Sequence, residues 1–126
     1  MWSGKRLTAE RLDVDHCLPW SAWPCGDLCN LMPADRRVNQ HGKRDRLPSA
    51  EALGTARDAI SAWWQATYLR PGDAVLPGRF AVEARASLPG LDAGTACRPD
   101  EVQAAVALQR MRLRQDQGVP EWSWRP

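Results

Sequence analysis

Residues 15–48 read DHCLPWSAWPCGDLCNLMPADRRVNQHGKRDRLP. They hold both histidines of the chain, the asparagines Asn30 and Asn39, and a cluster of cations at Arg36, Arg37, Lys43, Arg44 and Arg46. Leading into this stretch, Leu12, Val14, His16 and Leu18 alternate with Asp13, Asp15 and Cys17. Period-two alternation predicts a half-buried strand with its apolar side inward. Pro19 lacks a ladder donor and ends that strand. Trp20, Trp23, Pro24 and Gly26 mark a loop anchored by aromatics. The spacing predicts a return strand over 28–32, stopped by Pro33, and the hairpin loop is long enough to suggest a functional role. A short helix is expected over 34–41, with Asp35 capping its free N–H groups and Gly42 just past its end.

On either side of this stretch the chain is simpler. Residues 1–12 contain the turn signal Ser3-Gly4 and read as a short strand or irregular lead-in. After Pro48, Ser49 stands in N-cap context before Glu51. Leu53, Ala56, Ile60, Trp63, Trp64 and Tyr68 recur at helical spacing, which predicts an amphipathic helix over 50–69. A second helix is expected over 79–88. A third begins at Pro99, which suits a first helical turn, and stops at Gly118. The tail carries Trp122 and Trp124, expected to pack on the body or serve as a docking strip. Most of the seven tryptophans are expected in the core; Trp20 and Trp23 are the candidates for stacking on a base.

At 126 residues the chain is expected to be one domain. Its 44% hydrophobic and 25% charged residues are ordinary for a soluble globular protein, and a net charge of +2 does not by itself demand a polyanionic partner. The local concentration of arginine around residues 36–46 says more than the total. Four cysteines without a recognisable secretory leader read as reduced thiols, and the expected compartment is the cytoplasm. No apolar run is long enough to predict a membrane span.

The residue types also suggest a chemistry. Cleaving a phosphodiester requires a cation to neutralise charge on the phosphate and leaving oxygen, a base for water, and basic groups for flanking phosphates. Asp15 offers a carboxylate oxygen and Asn39 an amide oxygen, a hard donor set suited to Mg²⁺ or Mn²⁺. His16 stands beside Asp15, and a histidine titrates close to neutrality. Arg36, Arg37, Lys43, Arg44 and Arg46 would surround such a site with positive charge.

Asp15-His16, Leu18-Pro19, Asn30-Leu31, Asn39, Lys43, Asp45 and Leu47-Pro48 together resemble the HNH endonucleases of ββα-metal fold, in the branch with Asp-His, Asn and Asn. The HNH domain of CRISPR effector nucleases has a similar pattern. The resemblance covers about residues 3–50 and is carried by several positions agreeing in order. It implies an α+β protein: a ββα-metal module over 1–50, supported by two or three helices in a C-terminal extension over 51–126, within one compact domain. It implies a metal-dependent endonuclease acting on DNA, with RNA not excluded. By position, His16 would be the general base, Asp15 and Asn39 would hold one divalent ion, and Asn30 would tie the loop together through backbone hydrogen bonds. Lys43 would contact the scissile or a neighbouring phosphate.

The sequence departs from the family pattern in two places. Asn39 stands where a histidine is common, with His41 two residues on. Were His41 a ligand, the site would soften toward Zn²⁺ or Ni²⁺; otherwise it faces solvent or phosphate. Asn39 and Lys43 are also one residue further apart than in many relatives. The alternative from another class is a nucleic-acid-binding or scaffold module that keeps the HNH fold without cutting. A toxin or phage-packaging nuclease would share the same chemistry. A separate DNA-recognition domain or protein partner is also compatible with so short a chain.

Overall fold

The computed structural model describes residues 1–125. Strand β1 (Leu12–His16) pairs antiparallel with β2 (Leu31–Asp35), with His16 opposite Leu31 and Leu12 opposite Asp35. A single 3-10 turn, Leu28–Asn30, delivers the chain into β2. A helical segment follows and runs as a π turn over Val38–Lys43. The short β3 (Leu47–Pro48) then leads into α1 (Ala50–Thr67), α2 (Leu76–Ser87) and α3 (Pro99–Gln117), and the chain returns as β4 (Glu121–Trp122). This is a mixed α+β chain: a small β-hairpin and helical turn at the front, three helices behind.

The helices follow from local signals. Ser49 caps α1, its side chain accepting the Ala52 N–H at 3.0 Å. Leu53, Ala56, Ile60, Trp64 and Tyr68 are buried as the spacing predicts. Burying each large apolar side chain contributes on the order of 1.5–3 kcal/mol. Gly118 ends α3 in the left-handed conformation, φ 64°, where a side chain would be strained. Helix α2 starts three residues earlier than expected. The carboxylate of Asp73 accepts the N–H groups of Val75 and Leu76 at 2.8 and 2.9 Å and starts the turn there. All four cysteines are free and buried. Burial pushes the Cys17 thiol up to about 12, so it behaves as a small apolar group.

Around the hairpin the structure departs from the local reading. The return strand is Leu31–Asp35 and runs through Pro33 instead of stopping at it. In a two-stranded sheet both strands are edges, so a residue without an N–H is tolerated. The Pro33 carbonyl accepts the N-terminal amino group at 2.9 Å. Strand β1 turns its faces the other way: Leu12 and Val14 are 42% and 62% exposed, while Asp15 is 3% exposed. Aspartates face inward here because Trp2, Lys43 and Asn39 supply partners for them. Gly42 lies inside the π turn, not beyond it, and Arg44 takes the positive φ of 52°. A Cβ on Gly42 would sit 3.2 Å from the indole nitrogen of Trp122, so the missing side chain makes room for the tail.

The tail is part of the body. β4 runs parallel to β3, the Leu47 N–H donates to Pro120 O, and the Ser49 N–H donates to Trp122 O. Trp122 is buried against Trp2 in an edge-on contact with centroids 6.0 Å apart. Among the described residues no helix is long and apolar enough to cross a membrane.

Asp35 caps the helical segment as expected, accepting the N–H groups of Arg37 and Val38 at 2.9 and 3.4 Å. Burial pushes its carboxyl upward, but those N–H groups and the Arg11 guanidinium outweigh it and hold the carboxyl below the ordinary 3.8. A depressed folded-state pKa lends stability above the unfolded pKa that is lost as pH falls through the folded one. Asp35→Asn should therefore lower the urea midpoint at pH 7. As pH falls below 3.8 and the wild-type carboxyl protonates in turn, the two midpoints should converge.

Candidate active site

A buried polar chain holds the front of the molecule together. The ammonium of Lys43 is fully enclosed. It donates to Asp15 Oδ1 at 3.0 Å and to the His16 carbonyl at 2.7 Å. The other carboxylate oxygen of Asp15 accepts the Trp2 indole N–H at 2.7 Å. Lys43 also lies 5.8 Å from the centroid of the Trp2 ring, within cation–π range. One ion pair thus connects the N-terminal lead-in, the end of β1 and the end of the π turn. Lys43 was expected to face a phosphate; instead it faces inward, because Asp15 is the nearest charge that can compensate it in a dry setting.

Residues Val38–Lys43 run as a π turn, which places more residues per revolution than an α-helix. Lys43 reaches Asp15, and Asn39 stays beside β1, donating its side-chain N–H to Asp13 at 3.0 Å.

The long hairpin loop is stapled by Asn30. Its oxygen accepts the Leu18 N–H at 2.8 Å, and its nitrogen donates to the carbonyls of Leu18 and Cys25 at 3.1 and 2.9 Å. The Cys17 N–H donates to the Asn30 carbonyl at 2.8 Å. Helix α2 grips the same loop from behind: Glu83 accepts the Leu28 N–H at 2.8 Å, and the Ser87 hydroxyl donates to Asp27.

Val14, Asp15, His16, Pro19, Trp20, Ser21, Asn39, Arg44 and Asp45 line one open cleft of about 340 Å³. Asp15 and His16 are neighbours on a strand and point to opposite faces. They share the cleft because β1 ends at His16 and the chain turns away. The imidazole lies tilted against the Trp20 ring, centroids 5.5 Å apart, and Trp20 is 54% exposed. Among the described residues neither ring nitrogen of His16 has a hydrogen-bond partner.

The remaining predicted residues are spread more widely. Arg44 lines the cleft and donates to the Gln40 carbonyl at 3.2 Å. Arg36 and Arg37 line a separate hollow with Glu10, Arg11 and Asp35. Arg46 donates to the Gly42 carbonyl. His41 is exposed and does not line the cleft. Sequence reasoning assigned no part to Trp2 or Asp13, although both bond to residues of the site. Nothing local marks Trp2, and Asp13 is distinguished only by its two-residue offset from Asp15.

Among the described residues no three His, Cys, Asp or Glu side chains converge in metal-binding geometry. Any cation held here would have to draw on an amide oxygen as well as carboxylate.

A hairpin with a stapled loop, a following helical turn, and Asp, His and Asn around one cleft define a ββα module. A family model described as HNH endonuclease matches residues 1–49, so this part of the chain is similar to HNH endonuclease domains. No curated protein and no solved structure matches the chain.

Removing one partner of the buried pair should be severe and removing both mild. Lys43→Met should cost about 3–5 kcal/mol by leaving Asp15 charged and unpaired. Asp15→Asn combined with Lys43→Met keeps an acceptor for Trp2 and should lose less than Lys43→Met alone. Urea unfolding of the three proteins checks the order.

Proposed function

We propose that the protein is a metal-dependent HNH-type endonuclease that hydrolyses phosphodiester bonds in DNA. The observation that supports this most directly is that Asp15, His16 and Asn39 line one cleft within the segment matched by the HNH endonuclease family. Residues 1–50 form the nuclease module in this reading, and residues 51–126 are a helical extension packed on it.

The donor set fits a hard divalent ion such as Mg²⁺ or Mn²⁺. Asn39 commits its nitrogen to Asp13 and keeps its oxygen to offer. Each oxygen of Asp15 takes one hydrogen bond, and a carboxylate oxygen has a second lone pair. Asp15 and Asn39 would hold the ion. When bound, the ion would neutralise charge on the phosphate and on the departing 3′-oxygen. His16 takes the proton of the attacking water: its ring nitrogens are unengaged and Trp20 limits its rotation. Lys43 fixes the backbone of His16 through its carbonyl, so the base and the carboxylate move as one unit. Arg44, in the lining of the cleft, holds a flanking phosphate, and Arg36 and Arg37, in a separate hollow, would meet phosphates farther along the strand.

One observation favours the alternative of a binding or scaffold module that does not cut. The charge of Asp15 is already compensated by Lys43, which weakens its pull on a second cation. The two readings separate on plasmid DNA with Mg²⁺ or Mn²⁺. Nicking by the wild type should drop by about 10²–10⁴-fold in His16→Ala, the usual worth of a general base. Equal nicking by both proteins would count against His16 as the base and against the enzyme reading, and DNA retention with no nicking by either would decide for the scaffold.

A further inference from the structure

Asp13 lies outside the donor set just described, yet its carboxylate sits between β1 and the π turn. Its Oδ2 accepts the side-chain N–H of Asn39 at 3.0 Å, with the Gln40 amide nitrogen at 3.5 Å. Its Oδ1 accepts the Val14 N–H at 3.0 Å. The two-residue period of the strand puts Asp13 on the same face as Asp15. Asn39 is half-buried and lines the cleft that holds His16.

An asparagine amide has a donating end and an accepting end, and with nothing to choose between them it can present either. An ionised carboxylate only accepts. Facing Asp13, Asn39 must therefore offer its nitrogen, and its oxygen is left for the cleft. We propose that Asp13 is a positioning residue: it locks the Asn39 amide with its oxygen toward a divalent cation and so sets the affinity of the site. This rests on the reading of Asn39 as a ligand.

Substituting asparagine for Asp13 preserves size and removes the lock. Amide then faces amide, either pairing satisfies a hydrogen bond, and the Asn39 oxygen is captured in one of them. Partners that orient a metal ligand typically change affinity by about 10–100-fold when altered. A loss of mere negative charge, or direct ligation by Asp13, would weaken binding whether or not Asn39 is present. Orientation through Asn39 would not.

The test is Mn²⁺ binding, followed by the electron paramagnetic resonance signal of free Mn²⁺. It compares the wild type, Asp13→Asn, Asn39→Ala and the double variant, with circular dichroism to establish folding. Asp13→Asn should bind about 10–100-fold more weakly, and the double variant no more weakly than Asn39→Ala. Wild-type affinity in Asp13→Asn, or an equal further loss in the Asn39→Ala background, overturns the positioning role alone. Failure of the wild type to bind Mn²⁺, or unchanged binding by Asn39→Ala, overturns the ligand reading and this proposal together. Should Asp13→Asn not fold, Asp13→Ser serves the same purpose, since a hydroxyl both donates and accepts; it too should lose affinity, and wild-type binding by it overturns the role.

Discussion

The pairing of Lys43 with Asp15 is the constraint on which the front of this molecule depends. Lys43 is enclosed and Asp15 is only 3% exposed, at the edge of the cleft, so removing either one leaves the other's charge poorly compensated. Lys43 ends the π turn, Asp15 is the penultimate residue of β1, and Trp2 closes the second carboxylate oxygen from the N-terminal lead-in. Three separate stretches are thereby held to a common point. A well-packed apolar trio could do the same at lower desolvation cost. The polar version has directional bonds, and one of them goes to the carbonyl of His16, so the same ammonium that neutralises the aspartate also sets the end of the strand.

That inward commitment explains the unusual surface of the hairpin. Once Asp13 and Asp15 turn toward the π turn, Leu12 and Val14 must face outward, since a strand has only two sides. The cleft therefore combines an exposed apolar edge, Val14 and Trp20, with polar groups at its base.

The helical part supports the hairpin by named contacts. Glu83 and Ser87 of α2 hold the loop at Leu28 and Asp27. Gln103 of α3 donates to the Arg57 carbonyl of α1 at 2.9 Å and joins the two longer helices. From α3 the chain returns so that Trp122 packs on Gly42 and on Trp2, the residue that bonds Asp15. The tail is thus two contacts from the centre of the cleft, although it is the part of the sequence farthest from it.

Much of this was legible in the residues because its causes are local. Ser49 as a cap, the buried stripe of α1, Gly118 as a stop and Asp35 under the helical turn each depend on neighbours within a few positions, where backbone geometry and spacing act. The grouping of Asp15, His16 and Asn39 around one cleft could be read from motif order. The direction of β1, the passage of β2 through Pro33, the place of Gly42 and the enclosure of Lys43 could not be read that way. Each is set by a partner distant along the chain: Trp2 for Asp15, the N-terminal amino group for Pro33, Trp122 for Gly42 and Asp15 for Lys43. An alternating pattern says that a strand has two unlike faces, but which face is buried depends on what waits to receive it. Here a tryptophan, a lysine and an asparagine received the aspartates, and only the folded chain brings them there.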